Sequence, residues 1–213
     1  MKKIVAQLCA LLALTGMARA ETIEADVWAD NWFAFYLNGQ LVAEDSVPIT
    51  TERSFNAESF RFDAPQKPYV LAFMAKDFKE NDTGLEYIGS RRQQMGDGGF
   101  IAQFQSGGQT IAATGSGWKC LVVHEAPTDK MCERERNPVA GQGSCGFVVT
   151  AEPAGWNSVG FDDSAWPSAT EHAARAVGPK DGYDRIRWVS DAKIIWGPDL
   201  ETNNTVLCRL EMR

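Results

Sequence analysis

Two histidines, one pair of adjacent aspartates and a few oxygen-rich or basic stretches are the residues whose types and spacing could do chemistry. His124 and His172 are far apart and form no His-x-x-x-His or comparable ligand spacing, so a metal pair is not expected from them. No Gly-x-Ser-x-Gly elbow supplies a nucleophile for a Ser-His-acid triad. Asp162 and Asp163 supply the two carboxylates that acid–base hydrolysis needs. As neighbours in an extended segment, however, they would point to opposite faces and not meet on one substrate. Capping of a turn over Ser164–Trp166 is the simpler role. Gly96-Asp-Gly-Gly99 lacks the Lys-Ser/Thr of a phosphate loop and precedes its strand instead of following it. Catalysis is therefore not expected.

Binding has better candidates. Asp30, Asn31 and Trp32 fall at a junction between two strand-like segments. An indole there could stack on a sugar ring while the two Asx side chains bond its hydroxyls; turn capping with Trp32 entering the core is the competing role. Asp77, Glu80, Asn81 and Asp82 form an oxygen-rich loop of the kind calcium favours, without the Asp-x-Asp-x-Asp-Gly order of a dedicated site and diluted by Lys76 and Lys79. Asp77, Asn81 and Asp82 are its candidate ligands for a structural calcium; no other cofactor is expected. Arg91-Arg92 and Arg134-x-Arg136 read as solvated loop charges, with an anion grip as the alternative.

The elements that must position these residues begin after a leader. Lys2 and Lys3, an apolar run over residues 4–14 and Ala18-Arg19-Ala20 match a secretory signal peptide over residues 1–20. A periplasmic or secreted protein follows, with residues 21–213 as one domain. No later run approaches the roughly 18 apolar residues of a membrane helix. Loss of Lys2, Lys3 and Arg19 takes 21 basic residues to 18 against 28 acidic ones, a formal charge of −10. Such a surface excludes nucleic acid and anionic lipid as partners and serves solubility.

Seven Trp and eleven Phe among abundant Gly, Pro and Asx favour strands and turns. Short segments with period-2 patterning are expected at 23–28, 32–37, 40–44, 59–62, 69–76, 99–104, 110–113, 118–124, 146–150, 192–196 and 205–211. Asn38-Gly39, between two aromatic-rich segments, demands a hairpin with a type I′ turn. Brief helical turns are expected at 164–166 and 169–174. The fold class is all-β, an antiparallel sandwich.

Four cysteines remain beyond the leader and allow three pairings in an oxidising compartment. Cys132 and Cys145 bracket a polar stretch that gains from closure, and Cys120 and Cys208 sit inside strand-like sequences. The favoured pairing is Cys120–Cys208 with Cys132–Cys145, which leaves 133–144 as a stapled long loop.

The order of motifs resembles one family. Asp30-Asn31-Trp32 followed by Tyr36-Leu-Asn-Gly39 is similar to the opening hairpin of galactose-binding-domain-like jelly rolls, which occur as accessory modules of glycoside hydrolases. The strand at 69–76, Gly99-Phe-Ile-Ala-Gln-Phe104, Gly117-Trp-Lys119, the run from Gly155-Trp156 to Phe161-Asp-Asp-Ser-Ala-Trp166, and Ile195-Trp-Gly-Pro-Asp199 follow in that family's order. The 132–145 excursion is longer than the family's usual connection. The resemblance implies a jelly-roll topology and a non-catalytic module that recognises a glycan or similar polar ligand through loops at one end. Calcium is often structural in such modules. The alternative is a protein-interaction or structural module of the cell envelope, contacting its partner through the 132–145 loop.

Overall fold

The computed structural model describes residues 20–213, so the expected leader, except its last residue, lies outside the described residues. Strands are numbered in chain order. One sheet runs in the order β12 (Thr170–His172), β13 (Ile194–Trp196), β8 (Gly99–Ser106), β1 (Glu21–Asp30), β4 (Asn56–Ala64), with β9 (Gln109–Ala113) paired to β8. The other runs β11 (Val148–Val149), β10 (Lys119–Glu125), β14 (Asn203–Met212), β5 (Tyr69–Lys76), β2 (Trp32–Leu37), β3 (Gln40–Glu44). A separate ribbon pairs β6 (Leu85–Glu86) with β7 (Gln94–Met95). Every strand pairing within the sheets is antiparallel. The protein is an all-β antiparallel sandwich.

Alternation builds the core between the sheets. Ile23, Ala25, Val27 and Ala29 of β1 face Phe33 and Phe35 of β2 and Phe73 of β5 across it. Period 2 dictates this: the even residues of β1 point the other way, and Trp28 among them packs in a different cluster. β5 reads as a continuous apolar run because both its faces are covered. Tyr69, Leu71, Phe73 and Ala75 enter the central core, while Val70, Ala72 and Met74 enter a second cluster outside it. Asn38 and Gly39 take φ values of 50° and 83°, and the Asn38 side chain accepts a bond from Val70 N at 2.8 Å, fastening the expected turn to β5.

Both outer faces are roofed by irregular chain. Trp156 and Trp166 cover Val70, Ala72, Met74 and Leu207 on the second sheet. Val177, Tyr183 and Trp188 pack over Trp28, Ile101 and Ile194 on the first. Trp28 Nε1 donates to the carbonyl of Asp181 at 3.1 Å and holds that second roof down.

The first roof is anchored by a charge. Arg209 of β14 is 1 % exposed and pairs with the Asp163 carboxylate. It also donates to the carbonyls of Ser158 (3.0 Å) and Phe161 (3.4 Å). Asp162 only accepts a bond from Ser164 N at 3.0 Å, as a turn cap does. The two adjacent aspartates therefore have unequal duties. Asp163→Ala strands a buried guanidinium without its carboxylate and is expected to cost about 3 kcal/mol. Asp162→Ala removes a cap worth about 1 kcal/mol. Urea unfolding of the two variants measures the gap; equal losses would show that Asp163 does not anchor the roof.

Cys120 and Cys208 are register partners on β10 and β14 and are bonded; Cys132 and Cys145 close the long loop. Both pairings are the expected ones, and two disulfides place the protein in an oxidising, non-cytoplasmic environment. No helix among the described residues is long and apolar enough to cross a membrane. The sequence reading differs from the structure in small elements. Residues 169–174, expected as a helical turn, hold strand β12, and the short helix follows at Ala174–Val177. β6, β7 and β12 are two or three residues long, too short to show a period, and were not expected.

Candidate functional site

Register collects the loops at one end of the sandwich. Asp30 lies opposite Gly99, Trp32 opposite Lys76, Lys76 opposite Thr205, and Glu125 opposite Asn203. The corner at 30–31 and the loops 45–55, 77–98, 126–147 and 197–202 thus share that end. The stapled loop is fastened to the β6–β7 ribbon, since Gln93 Nε2 donates to the carbonyls of Glu133 and Glu135, each at 2.8 Å. The Cys132–Cys145 disulfide packs on Leu85, Ile88 and Met95 beneath.

Asp30, Asn31 and Trp32 are separated by this geometry. Asn31 is fully buried: its amide donates to the carbonyl of Glu52 at 3.1 Å, and its side-chain oxygen accepts from Phe78 N at 2.6 Å. It ties three loops together. Trp32 is half-buried beside the outer cluster of the second sheet, with the Lys76 ammonium 4.9 Å over its ring. Asp30, 1 % exposed, falls instead under the influence of Asp97, Lys180 and Glu86.

Asp77, Asn81 and Asp82 are likewise dispersed. Asn81 accepts from Thr83 N at 2.9 Å within its own turn. Asp82 receives Lys79 Nζ at 2.6 Å and faces His124 Nε2 at 3.1 Å; the lysine hydrogen bond, ahead of the histidine, holds its carboxyl below the ordinary range. Asp77 is 3 % exposed and lies against Gly96, where any Cβ would collide with its carboxylate. Among the described residues no three His, Cys, Asp or Glu side chains are placed to hold a metal ion.

The structure brings together a different set. A cleft of about 440 Å³ opens between the 52–55 loop, the β6–β7 ribbon and the 180–181 segment, lined among others by Glu52, Phe55, Glu86, Tyr87, Asp97 and Lys180. Gly182, at φ 94°, lets the 180–181 segment lie directly on Asn56 and Ala57, where a Cβ would meet Ala57 N at 2.6 Å. Tyr87 adopts φ 52°, rare for a bulky residue, and is held by two bonds. Its hydroxyl donates to Glu52 Oε1 at 2.6 Å and accepts from Arg92 at 2.7 Å, while the guanidinium covers its ring at 4.1 Å. The tyrosine bond keeps the Glu52 carboxyl below its usual value.

The inner end of the cleft is acid-rich and poorly compensated. Burial pushes Glu86 up to about 7 against the opposing bond from Gln94 Nε2 (2.9 Å). Burial likewise raises Asp97, which Lys180 partly offsets. Behind them burial drives Asp30 and Asp77 well above the carboxylate range, reinforced by Asp97 for the first and by Asp30 for the second. One Asp30 oxygen and both Asp77 oxygens have no hydrogen-bond donor from the protein. Glu52, pushed down, and Glu86, pushed up, thus line one cleft, which makes it a candidate site.

A neighbouring hollow of about 560 Å³ shares Gln94 and Asp97 with the cleft. It is crossed by Lys130, which pairs with Asp199 at 2.8 Å and Glu201 at 2.6 Å. The Lys130 charge is therefore already satisfied within the chain.

The cleft residues escape a linear reading because they come from three separate segments. Only the positive-φ turn around Tyr87 and the Gly96-Asp97 approach left local traces, and glycine-rich turns are common in any β protein. No family model matches the chain, and neither a curated protein nor a solved structure is detectably similar to it.

Proposed function

We propose that the protein is a non-catalytic exported binding module of galactose-binding-domain-like jelly-roll type, taking a glycan or similar polar ligand into the cleft beside Tyr87. The observation that carries this reading is the cleft itself: it sits at the loop-rich end, and its walls are held by hydrogen bonds, not by flexible tips. Carboxylates, amides and an aromatic ring on a pre-organised frame suit a polyhydroxylated ligand, whose hydroxyls need both donors and acceptors. Two disulfides agree with export. Glycan-array screening followed by calorimetry is the test. Tyr87→Ala and Glu86→Gln should each weaken binding about tenfold, the worth of a hydrogen bond to a charged or buried partner. No bound glycan, or binding indifferent to both substitutions, would reject the reading.

A second reading rests on a separate observation. Val139, Phe147, Val148 and Val149 are 38–62 % exposed, and β11 is the outermost strand of its sheet. Apolar side chains on an edge strand beside the stapled loop suit a protein partner of the envelope. Trimming residues 136–143 and introducing Val149→Lys would abolish such an association while leaving Tyr87-dependent ligand binding intact.

A further inference from the structure

We propose that the free edge of β11 is where two copies of this chain join, their β11 strands pairing antiparallel about a two-fold axis at Val148. The inference rests on the second reading above, that the β11 side is a contact surface, and names the occupant of that surface.

Exposed apolar side chains are concentrated on this side. Of the eight large ones among the described residues, five (Met131, Val139, Phe147, Val148 and Val149) fall between residues 131 and 149. They sit on a fixed frame. Gly141 N donates to the carbonyl of Cys145 at 2.8 Å, Gln142 N donates to that of Val139 at 3.0 Å, and Phe147 stacks on His124 with ring centroids 6.2 Å apart. The other outer strands are guarded against pairing. β3 ends in Glu44 and bulges at Val42, β4 exposes Arg61 and Asp63, β12 exposes Glu171, and β9 shows solvent Gln109 and Thr110. β11 has no such guard: from Asn137 to Ala151 the chain carries no charge.

The backbone of that edge is complementary to itself. The carbonyl of Gly146 accepts from Thr128 N at 2.8 Å, and Thr150 N donates to the carbonyl of Val123 at 2.9 Å. The even-numbered residues therefore turn their main-chain groups toward the protein's own strands. By the alternation of an antiparallel ladder, the N–H and C=O groups of Phe147 and Val149 face outward. A second β11 running the other way about Val148 sets Phe147 opposite the partner's Val149, and the two exchange both bonds. Val148 meets its own copy across the axis at the closer, non-hydrogen-bonded spacing. In the same register Glu152 falls opposite the partner's Ser144, so no charge along the pairing meets a like charge. Both copies carry the same net negative charge, and an uncharged edge lets them approach without juxtaposing carboxylates. The match of this strand with itself, donor to acceptor and apolar to apolar, selects a second copy as the occupant.

Analytical ultracentrifugation of the intact protein across a concentration series tests this. A monomer–dimer equilibrium is expected, tightening as salt rises because the two copies repel at long range. Val148→Lys sets two ammonium groups across the axis and should weaken the dimer roughly thirtyfold, the effect of losing a central interface anchor. Phe147→Lys and Val149→Glu should each weaken it to a similar degree. The double variant, which faces each lysine with a glutamate of the other copy, should regain most of the lost affinity. A folding defect does not produce that recovery, and circular dichroism confirms that each variant is folded. Monomer at every concentration, a dimer that salt loosens, a dimer indifferent to Val148→Lys, or a double variant no better than the single ones would overturn the inference. If the protein stays monomeric and instead holds an envelope protein that Val149→Lys releases, the contact-surface reading stands and self-pairing falls. If neither a second copy nor another protein binds there, both fall.

Discussion

Replacing Cys120 and Cys208 together by alanine is expected to cost about 4.6 kcal/mol of stability, the largest loss from any single structural tie in the molecule. The bond joins β10 to β14 across 88 residues of sequence, and constraint of the unfolded chain grows with the logarithm of that span. Both cysteines are buried in the central core, and each truncation also deletes packing against it. The Cys132–Cys145 bond spans only 13 residues, so the same relation gives about 3 kcal/mol for its removal. That bond sits on the small cluster under the β6–β7 ribbon, not in the main core, and its loss should loosen the loop end first. Guanidinium titrations of the two double variants measure the difference. A smaller loss for the Cys120–Cys208 variant would contradict the assignment of that bond as the principal clamp between distant segments.

Raising the pH from 4 to 8 is expected to destabilise the protein by several kcal/mol, the reverse of the usual carboxylate behaviour. Burial raises Glu86 from 4.5 and Asp45 from 3.8 to about 7 each, and raises Asp30, Asp77 and Asp97 as well. A group whose folded value lies above its unfolded one binds more protons when folded, so stability falls as the pH climbs between the two values. The contribution is fully present below about pH 4 and is lost as the pH passes through 7. Glu86 and Asp45 both contribute to the fall, since a group that binds its proton more tightly when folded loses that advantage as the pH passes its folded value. Thermal melts from pH 4 to 8 should show a declining midpoint, and Glu86→Gln should flatten the decline because the amide does not titrate. A midpoint that rises across this window would refute the acid cluster as a destabilising element at neutral pH.

Much of the architecture could be read from local sequence. Segments 32–37, 40–44 and 69–76 coincide with β2, β3 and β5 residue for residue, since alternation or a fully apolar run is bounded at each end by polar or turn residues. The Asn38-Gly39 turn was legible because so few residue pairs tolerate two positive φ angles. The disulfide pairing was legible for a simpler reason: two cysteines lay in strand-like sequence and two at the ends of a polar loop. Asp30, Asn31 and Trp32 were correctly placed at a strand junction, but which way each side chain turns at a corner between two sheets is settled by neighbours distant in sequence. Asn31 turns inward to serve three loops, and Asp30 and Trp32 turn to different surroundings.

Sequence alone therefore determined the class of fold, the hairpin that opens it, the two covalent ties and an acidic surface. These follow from period, turn chemistry and counting, all of which act over a few residues or over the whole chain. Only the tertiary structure decided that Arg209 is buried as the anchor of Asp163, and that Asp30, Asp77, Glu86, Asp97 and Lys180 share one end of the molecule. Electrostatic pairing and desolvation depend on distances through space between segments up to 150 residues apart in sequence, from Asp30 to Lys180, and no local pattern encodes such distances.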